Sequence, residues 1–152
     1  MISADKLRVS LEPGYAFTTA RRTITETDIV NYSGLSNDFD PLHIDEEFAK
    51  RGPFGRRIAH GQLIASIVTG LRSELDAWPV ISYLGTSRRF TGPVGAQDTI
   101  SGVYSVENVR PTSANPKRLV VTLGLVIRDQ NNVQVMEGQD VVLVDTEGEG
   151  ND

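Results

Sequence analysis

The sequence has no cysteine, only 7% aromatic residues and no long hydrophobic run. Without cysteine, a disulfide scaffold, a cysteine nucleophile, an iron–sulfur cluster and a thiolate zinc site are all excluded. No stretch approaches the ~20 consecutive apolar residues that a membrane-spanning helix needs. Cations are also in deficit, with 15 Lys and Arg against 20 Asp and Glu. The resulting net charge of −5 argues against a sequence-independent nucleic-acid binder.

What is present suits one domain of ordinary composition. The chain has 152 residues, of which 39% are hydrophobic, and a chain of ~150 residues buries ~70% of its unfolded surface on folding. The first residues carry charges without a following apolar segment, so no signal peptide is predicted and a cytoplasmic location is expected. We expect a single domain over residues 1–152, with a polar, glycine-rich end at 146–152 that frays.

Two helices are predicted in the first third of the chain. Thr25 opens the first helix with a capping box that Asp28 completes, and Gly34 is its natural stop. Asp45 opens the second, which has glutamates in its first turn and basic residues in its last turn, before Gly52. This order of charges matches the helix dipole from one end to the other.

A third, longer helix is predicted from Gln62 to about Asp76. Its apolar residues recur at helical spacing and form a stripe wide enough for a core position. They are Leu63, Ile64, Ile67, Val68, Leu71 and Leu75. The small residues between them would let a neighbouring group pack closely.

Strand-like segments lie on both sides of these helices, and most of them follow Pro79. They are rich in Val, Ile, Leu and Thr and are separated by Gly, Pro and Asn. The predicted strands are 15–24, 80–90, 99–109, 118–128 and 133–145, with a turn at 129–132. A strand, then helices, then a run of strands predicts an α+β fold in which an antiparallel sheet covers the long helix. Alternating βαβ units are absent, which excludes a Rossmann domain.

Asp38 and His43 are the first candidates for chemistry. They stand five residues apart on a loop between two helices. Pro41 favours extended backbone before it, so the loop is predicted to be non-helical and can aim both side chains into one pocket. A carboxylate and an imidazole around one water can share the acid and base roles in adding water to a double bond.

Two other interpretations of this loop stay open. The pair can be a turn cap beside a hydrogen-bonded histidine. Asp38, Asp40 and His43 could also offer three ligands to a metal ion. An EF-hand is excluded, because its sixth loop position must be glycine and that position is His43 here.

His60 and Gly61 precede the long helix. Backbone N–H groups at a helix start lack intrahelical partners, so the N–H of Gly61 could stabilise a developing oxyanion. Glycine at this position would also let a substrate carbonyl approach the backbone closely. The alternative is that the two residues form only a helix start, and we interpret His60 itself as structural.

Two segments together resemble the signatures of the MaoC-like dehydratases, the (R)-specific enoyl-CoA hydratase family. The first spans residues 38–43, DFDPLH, and is followed by the small residue Ala49. The second spans residues 54–63, FGRRIAHGQL, at the start of the long helix. The stretch 88–98 resembles the strand and turn that follow in the family, and the likeness covers about residues 15–145.

The resemblance implies a hotdog fold, in which a curved antiparallel sheet wraps a long helix, and a homodimer. It also implies reversible syn addition of water to a trans-2-enoyl thioester, giving the (R)-3-hydroxyacyl thioester, with no metal or redox cofactor. On the matching positions, Asp38 and His43 would hold the water, and the N–H of Gly61 would stabilise the enolate oxygen. Ser66, further along the helix, would support His43 by hydrogen bonding.

The sequence departs from the family pattern at two positions. Asn37 replaces a glycine, and because Asn tolerates left-handed backbone, the turn is expected to survive. Asp40 replaces an asparagine and brings a second carboxylate near the pair. If the acyl carrier is CoA, its phosphates would need cations, which the sequence offers at Arg56, Arg57, Arg88, Arg89, Lys117 and Arg118.

Other functions stay open at this point. The chain could be a hotdog thioesterase, which would release a free thiol, or a non-catalytic binder of acyl thioesters. It could also be a partner or regulatory domain that keeps the fold without the activity, an interpretation that Asp40 supports. An acyl thioester is the expected ligand, and neither nucleic acid nor a membrane is expected as a partner.

Overall fold

A computed structural model describes residues 2–147, which contain five helices, a 3₁₀ turn and six strands. The helices are α1 (Ala4–Ser10), α2 (Glu26–Ser36), α3 (Pro41–Ile44), α4 (Glu46–Lys50) and α5 (Gly61–Thr69), and the 3₁₀ turn is Glu74–Ala77. The strands are β1 (Ala16–Thr18), β2 (Arg22–Thr23), β3 (Val80–Phe90), β4 (Thr99–Pro111), β5 (Arg118–Arg128) and β6 (Gln134–Asp145). The predicted separation of helices from the later strands is confirmed, and the fold is α+β.

The strands form one antiparallel sheet in the order β1-β4-β5-β6-β3, with β2 paired to β4. The hairpin predicted around residues 129–132 joins β5 to β6, and Asn132 takes the left-handed conformation there, with φ of 64°. The period of two read from β5 is confirmed, because Leu123, Leu125 and Ile127 are all buried on one face. β3 lies at one edge and pairs only with β6 within the described sheet.

α5 packs its apolar side against this sheet. Four of its residues join the sheet's inward-facing side chains in one hydrophobic cluster, namely Leu63, Ile64, Ile67 and Val68. The prediction that this helix continues to Asp76 is wrong. Gly70 ends it, and Ser73 and Asp76 then form a capping box that starts the separate 3₁₀ turn.

The elements before α5 also differ in part from the prediction. α1, which Ser3 caps, was not predicted, and the single strand expected at 15–24 is divided into β1 and β2. α2 starts with the predicted capping box of Thr25 and Asp28. It continues past Gly34 to Ser36, because Asn37 supplies the left-handed end.

The end of the described chain is tied to the sheet region. The backbone N–H and the hydroxyl of Thr146 both donate to the carbonyl of Lys117, at 3.0 and 2.8 Å. Residues 148–152, most of the segment predicted to fray, lie outside the described residues. No helix within residues 2–147 is long and apolar enough to cross a membrane.

Candidate active site

The loop after α2 is held by two short local motifs. Asn37 ends α2 in the left-handed conformation, with φ of 59°, so the turn expected from asparagine is confirmed. The Asp38 carboxylate accepts a hydrogen bond from the N–H of Asp40 at 3.2 Å. The Asp40 carboxylate in turn caps α3 by accepting from the N–H of Leu42 at 2.8 Å. Asp40 is therefore a helix cap.

The prediction that this loop is entirely non-helical is wrong for residues 41–44, which form α3. Pro41 is the first residue of α3, where the N–H that proline lacks would have no intrahelical partner. Asp40 itself keeps an extended ψ of 133°, as the following proline favours. His43 lies in this single turn of helix, three residues after its cap, Asp40.

His43 is oriented by the segment that leads into α5. Its Nδ1 lies 2.7 Å from the carbonyl oxygen of Ile58. Because a carbonyl oxygen only accepts hydrogen bonds, Nδ1 carries the hydrogen, and Nε2 of the neutral ring is left without one. Nε2 of His43 is thus able to accept a proton from a bound water.

His60 links the loop to the start of α5. Its ring is 3% exposed and stacks on the ring of His43, with centroids 3.8 Å apart. Its Nε2 donates to the backbone carbonyl of Asp38 at 3.0 Å. Its Nδ1 is buried and has no hydrogen-bond partner among the described residues. These contacts agree with a structural role, but the sequence did not reveal that His60 contacts both Asp38 and His43.

Asp38, His43 and His60 form one cluster. A carboxylate oxygen of Asp38 and one nitrogen of each ring lie within 4.8 Å of one another. Two hydrogen bonds of about 2.8 Å can span such a gap, so one water can bridge the Asp38 carboxylate and the His43 ring. The Asp38 side chain is half exposed, which gives solvent access to the cluster.

The same three residues are also the set that could hold a metal ion, and this set differs from the predicted one. His60 takes the place of Asp40, whose carboxylate caps α3. One nitrogen of each histidine already carries a hydrogen bonded to a backbone carbonyl. On His60 the nitrogen that faces the Asp38 carboxylate is this same Nε2, at 4.0 Å, so a metal would have to displace its bond to the backbone.

The amino end of α5 offers free backbone donors next to this cluster. Its N-cap residue, His60, makes no side-chain capping bond. The other four helices in residues 2–147 are each capped by a side chain, from Ser3, Thr25, Asp40 or Asp45. The uncapped N–H groups of α5 and the positive end of its dipole favour a partial negative charge.

An apolar hollow of about 410 Å³ opens beside Gly61. Phe54, Ile58, Ile64 and Phe90 line it, together with residues 91–94 and Val135. A Cβ at position 61 would lie 3.0 Å from the Phe90 ring, so glycine allows this close approach. Ile58 belongs to both features, because it lines the hollow while its carbonyl holds His43.

Ser66 does not make the predicted contact. Its hydroxyl donates to the carbonyl of Gln62, within the same helix, at 2.8 Å. The partner of His43 is the carbonyl of Ile58. Serine in a helix readily bonds to the carbonyl one turn back, as Ser66 does here. Among the described contacts, Ser66 therefore does not support His43.

The six cations considered for a phosphate all have acidic partners within the chain. The pairs are Arg56–Asp98, Arg57 with Glu26 and Glu46, Arg88–Asp140, Arg89–Glu137, Lys117–Glu147 and Arg118–Asp145. Arg88 is the least available, because its side chain is 6% exposed and its partner Asp140 is buried. All six are therefore paired with carboxylates of the chain, but only Arg88 is buried, and the pairs at the surface contribute little to stability.

Asp98 fastens the loop before β4 to the segment that leads into α5. It accepts from the N–H of Gly95 at 2.8 Å, from the side chain of Gln130 at 3.0 Å and from Arg56. Burial raises the pKa of Asp98, but these hydrogen bonds and the charge of Arg56 outweigh burial and lower the pKa below its usual value. Asp98 is thus an ionised carboxylate that joins these two segments beside the candidate site.

Known proteins are similar to this chain over most of its length. A family model described as a MaoC like domain matches residues 9–126. The chain is 32% identical to the (R)-specific enoyl-CoA hydratase of Rhodospirillum rubrum over 127 residues, which cover 84% of each protein. It is also 32% identical to the (R)-specific enoyl-CoA hydratase of Aeromonas caviae, over 88% of this chain and 95% of that protein.

Solved structures agree with this relationship. The fold matches a MaoC-like dehydratase from Rhodospirillum rubrum with a TM-score of 0.76 and 27% identity, covering 90% of this chain and 94% of that one. It matches the (R)-hydratase of Aeromonas caviae with a TM-score of 0.69 and 29% identity, over 88% and 96% of the two chains. The hotdog fold implied by the resemblance is confirmed. The chain belongs to the family of proteins with a MaoC-like domain.

Proposed function

We propose that this protein interconverts trans-2-enoyl and (R)-3-hydroxyacyl thioesters by adding or removing water. Relatives at 30–32% identity include enzymes named (R)-specific enoyl-CoA hydratase and 3-hydroxybutyryl-CoA dehydratase. The single observation that carries the proposal is the cluster of Asp38, His43 and His60 next to the uncapped start of α5. That arrangement supplies both a site for a water and donors for a thioester oxygen.

In the proposed reaction, Asp38 and His43 hold the water and share the two proton transfers. The water oxygen bonds to C3 of the enoyl thioester as one of the pair takes its proton, and a proton is returned to C2 on the same face. The bare Nε2 of His43, left by the bond from Nδ1 to Ile58, suits the first of these transfers. Positioned proton transfer of this kind contributes ~10²–10⁴ in rate.

The carbonyl oxygen of the thioester gains charge as the C3–O bond forms. In the proposal the N–H of Gly61 binds this enolate oxygen at the positive end of α5. Removing a donor of this type from an oxyanion hole costs about 10²–10³ in rate. His60 is proposed as a positioning residue, because its ring supports His43 and its Nε2 holds the backbone of Asp38.

The test measures hydration of crotonyl-CoA by the loss of the ultraviolet absorbance of the enoyl thioester. We expect Asp38→Asn and His43→Gln to lose activity by ~10²–10⁴ with little change in melting temperature. Asp45→Asn is the matched control, because Asp45 caps α4 on the same stretch of chain and asparagine is an equally good cap. Wild-type-like activity in both site variants would disprove the assignment.

The product separates the proposed enzyme from the two other functions. A hydratase yields (R)-3-hydroxybutyryl-CoA and releases no thiol, whereas a thioesterase releases free CoA that a thiol reagent detects. A binding or regulatory protein would bind the thioester without turnover. Chiral analysis of the product, run alongside the thiol assay, distinguishes all three outcomes.

We also propose that the protein works as a homodimer joined along β3. β3 lies at the edge of the sheet, and its exposed residues include Ile81, Tyr83 and Leu84. An exposed, apolar edge strand favours pairing with another strand. Sedimentation should then give twice the 16.6 kDa of one chain, and Leu84→Lys should shift the protein toward monomer. A wild-type protein that sediments as a monomer would contradict this proposal.

The proposed reaction requires neither a metal nor a redox cofactor. Addition of water transfers no electrons, and the chain's own groups supply a base, an acid and a donor to the oxyanion. The nitrogens of His43 and His60 that bond to backbone carbonyls act as donors, which orients both rings without a metal.

A further inference from the structure

The hollow beside Gly61 is almost entirely apolar. Among the described residues that line it, Thr91 is the only one with a polar side chain, and none is charged. Ile58 and Ile64 contribute aliphatic walls, and Phe54 and Phe90 contribute aromatic ones. A hollow of this kind offers van der Waals contact but little hydrogen bonding, so it suits a hydrocarbon.

Phe90 lies over the start of α5. Three carbons of its ring would be within 3.2 Å of a Cβ at position 61, so the ring covers one side of Gly61. The residue is nevertheless 46% exposed, because it is the last residue of the edge strand β3. The ring therefore stands between the start of α5 and solvent.

The aromatic residues around the site are distributed unevenly. Of the five phenylalanines, only Phe17 is buried. The other four, Phe39, Phe48, Phe54 and Phe90, are between 42% and 53% exposed. Three of these fall within residues 39–54, which contain α3 and α4, and the fourth contacts Gly61. Only Phe54 and Phe90 of these four line the hollow, and exposed rings at a hollow indicate a surface that binds an apolar group.

We propose that this hollow binds the acyl chain of the thioester and that Phe90 limits the chain length accepted. The inference rests on the proposed hydratase function. A thioester has two arms, and the carrier arm carries amides that need hydrogen bonds, which this hollow does not supply. With the thioester oxygen on the N–H of Gly61, the apolar acyl arm is the one that the hollow can take.

Phe90 limits the length of the acyl chain because of its position. Its ring lies against Gly61 and lines the hollow, so truncating it enlarges the hollow at the Gly61 end. Longer chains then gain a path that the ring blocks in the wild type. Each additional methylene that becomes buried strengthens binding by about fourfold, from the transfer free energy of a CH₂ group.

The experiment compares kcat/KM for crotonyl-, octenoyl- and dodecenoyl-CoA. For Phe90→Ala we expect the ratio of dodecenoyl to crotonyl activity to rise by at least about 16-fold over the wild type, equivalent to two newly buried methylenes. Phe90→Leu, which keeps bulk without a ring, should give an intermediate ratio. Phe48→Ala, a matched change at a residue that is also nearly half exposed but does not line this hollow, should leave the ratio unchanged.

Three results would overturn the proposal. One is an equal loss of activity by Phe90→Ala at every chain length, and another is an unchanged ratio. The third is dissociation of a wild-type dimer by Phe90→Ala, which would assign the ring to the subunit interface. Calorimetric binding of butyryl-, octanoyl- and dodecanoyl-CoA to the same variants measures chain preference without turnover. If the wild type hydrates none of the enoyl thioesters, the proposed function fails, and this binding series alone still decides the role of Phe90.

Discussion

The central strands and the segment 37–61 are built in different ways. In β4 and β5 alternate side chains are buried in the core, and the pattern can be read directly along the chain. In the segment 37–61 only Ala49, Ala59 and His60 are buried, and short caps and single hydrogen bonds determine the geometry. The sheet region therefore provides stability, and the segment 37–61 contains the residues of the proposed chemistry. Substitutions in the two regions should affect different measurements.

The largest effect is expected in the sheet. Leu123 on β5 is fully buried, so Leu123→Ala removes core contacts and leaves a cavity. We expect a loss of about 2–5 kcal/mol in the free energy of unfolding, which lowers the melting temperature by on the order of 10 °C. Urea unfolding measures the loss, and kcat below the transition should be unchanged. A large drop in kcat in the folded variant would contradict the separation between the two regions.

The next effect is expected at the start of α5. In Gly61→Ala the added Cβ would meet the Phe90 ring at 3.0 Å, so the ring or the start of α5 has to shift. A small displacement of the reacting groups is enough to lower kcat/KM by about 10²-fold. Gly70→Ala, at the other end of the same helix, is the control, because its Cβ would make an ordinary contact at 3.6 Å. Equal activities in the two variants would disprove the proposed role of Gly61.

Asp98 should affect stability in a way that depends on pH. Its pKa is lowered in the folded protein, so its contribution is present above the unfolded value of about 3.9 and is lost as the pH falls through the folded value. We expect Asp98→Asn to lose about 1–3 kcal/mol at neutral pH and less in acid. Urea unfolding across a pH series measures this, with the exposed Asp5→Asn as control. A loss that is the same at all pH values would contradict an ionised Asp98.

Asp40 should matter little. Asparagine caps a helix as well as aspartate does, so Asp40→Asn should keep stability within a few tenths of a kcal/mol and activity within about threefold. Asp40→Ala removes the bond to Leu42 and should cost about 1 kcal/mol. Circular-dichroism melts and the hydration assay measure both variants. A large loss of activity in Asp40→Asn alone would show that its charge acts on the reaction.

Removal of metals should have no effect. Dialysis against a chelator should leave the rate of crotonyl-CoA hydration unchanged, because the proposed chemistry uses only Asp38, His43 and backbone N–H groups. A loss of activity that zinc or another divalent ion restores would instead identify Asp38, His43 and His60 as metal ligands.

The sequence predicts the secondary structure best where that structure depends on locally repeated patterns. Alternation predicted β5, and the capping box of Thr25 and Asp28 predicted the start of α2, because both depend on neighbours within a few residues. The length of α5 was overpredicted because Leu71 and Leu75 continue its spacing after Gly70 has ended the helix. The capping box of Ser73 and Asp76 is visible in the sequence and indicates the start of the separate 3₁₀ turn.

The site was predicted only in part, because tertiary contacts assemble it. Asp38 and His43 could be paired from their spacing, but their contact with His60 depends on how the segment 58–61 crosses the loop. No local pattern encodes the stacking of two rings 17 residues apart. Ser66 was misassigned because its bond to Gln62 competes within its own helix. Pro41 predicts extended backbone before it but does not exclude a helix after it, and it begins α3.

The position of β6 also constrains how the chain folds as it is made. β6 lies between β5 and β3, so within the described sheet β3 has no partner until β6 exists. A chain synthesised only as far as Arg128 contains β3, β4 and β5 but not β6. Pairing of β3 with β6 joins residues more than 40 positions apart, and such closures are slow steps. Until β6 is made, β3 therefore lacks the strand it pairs with, and an unpaired apolar strand favours aggregation.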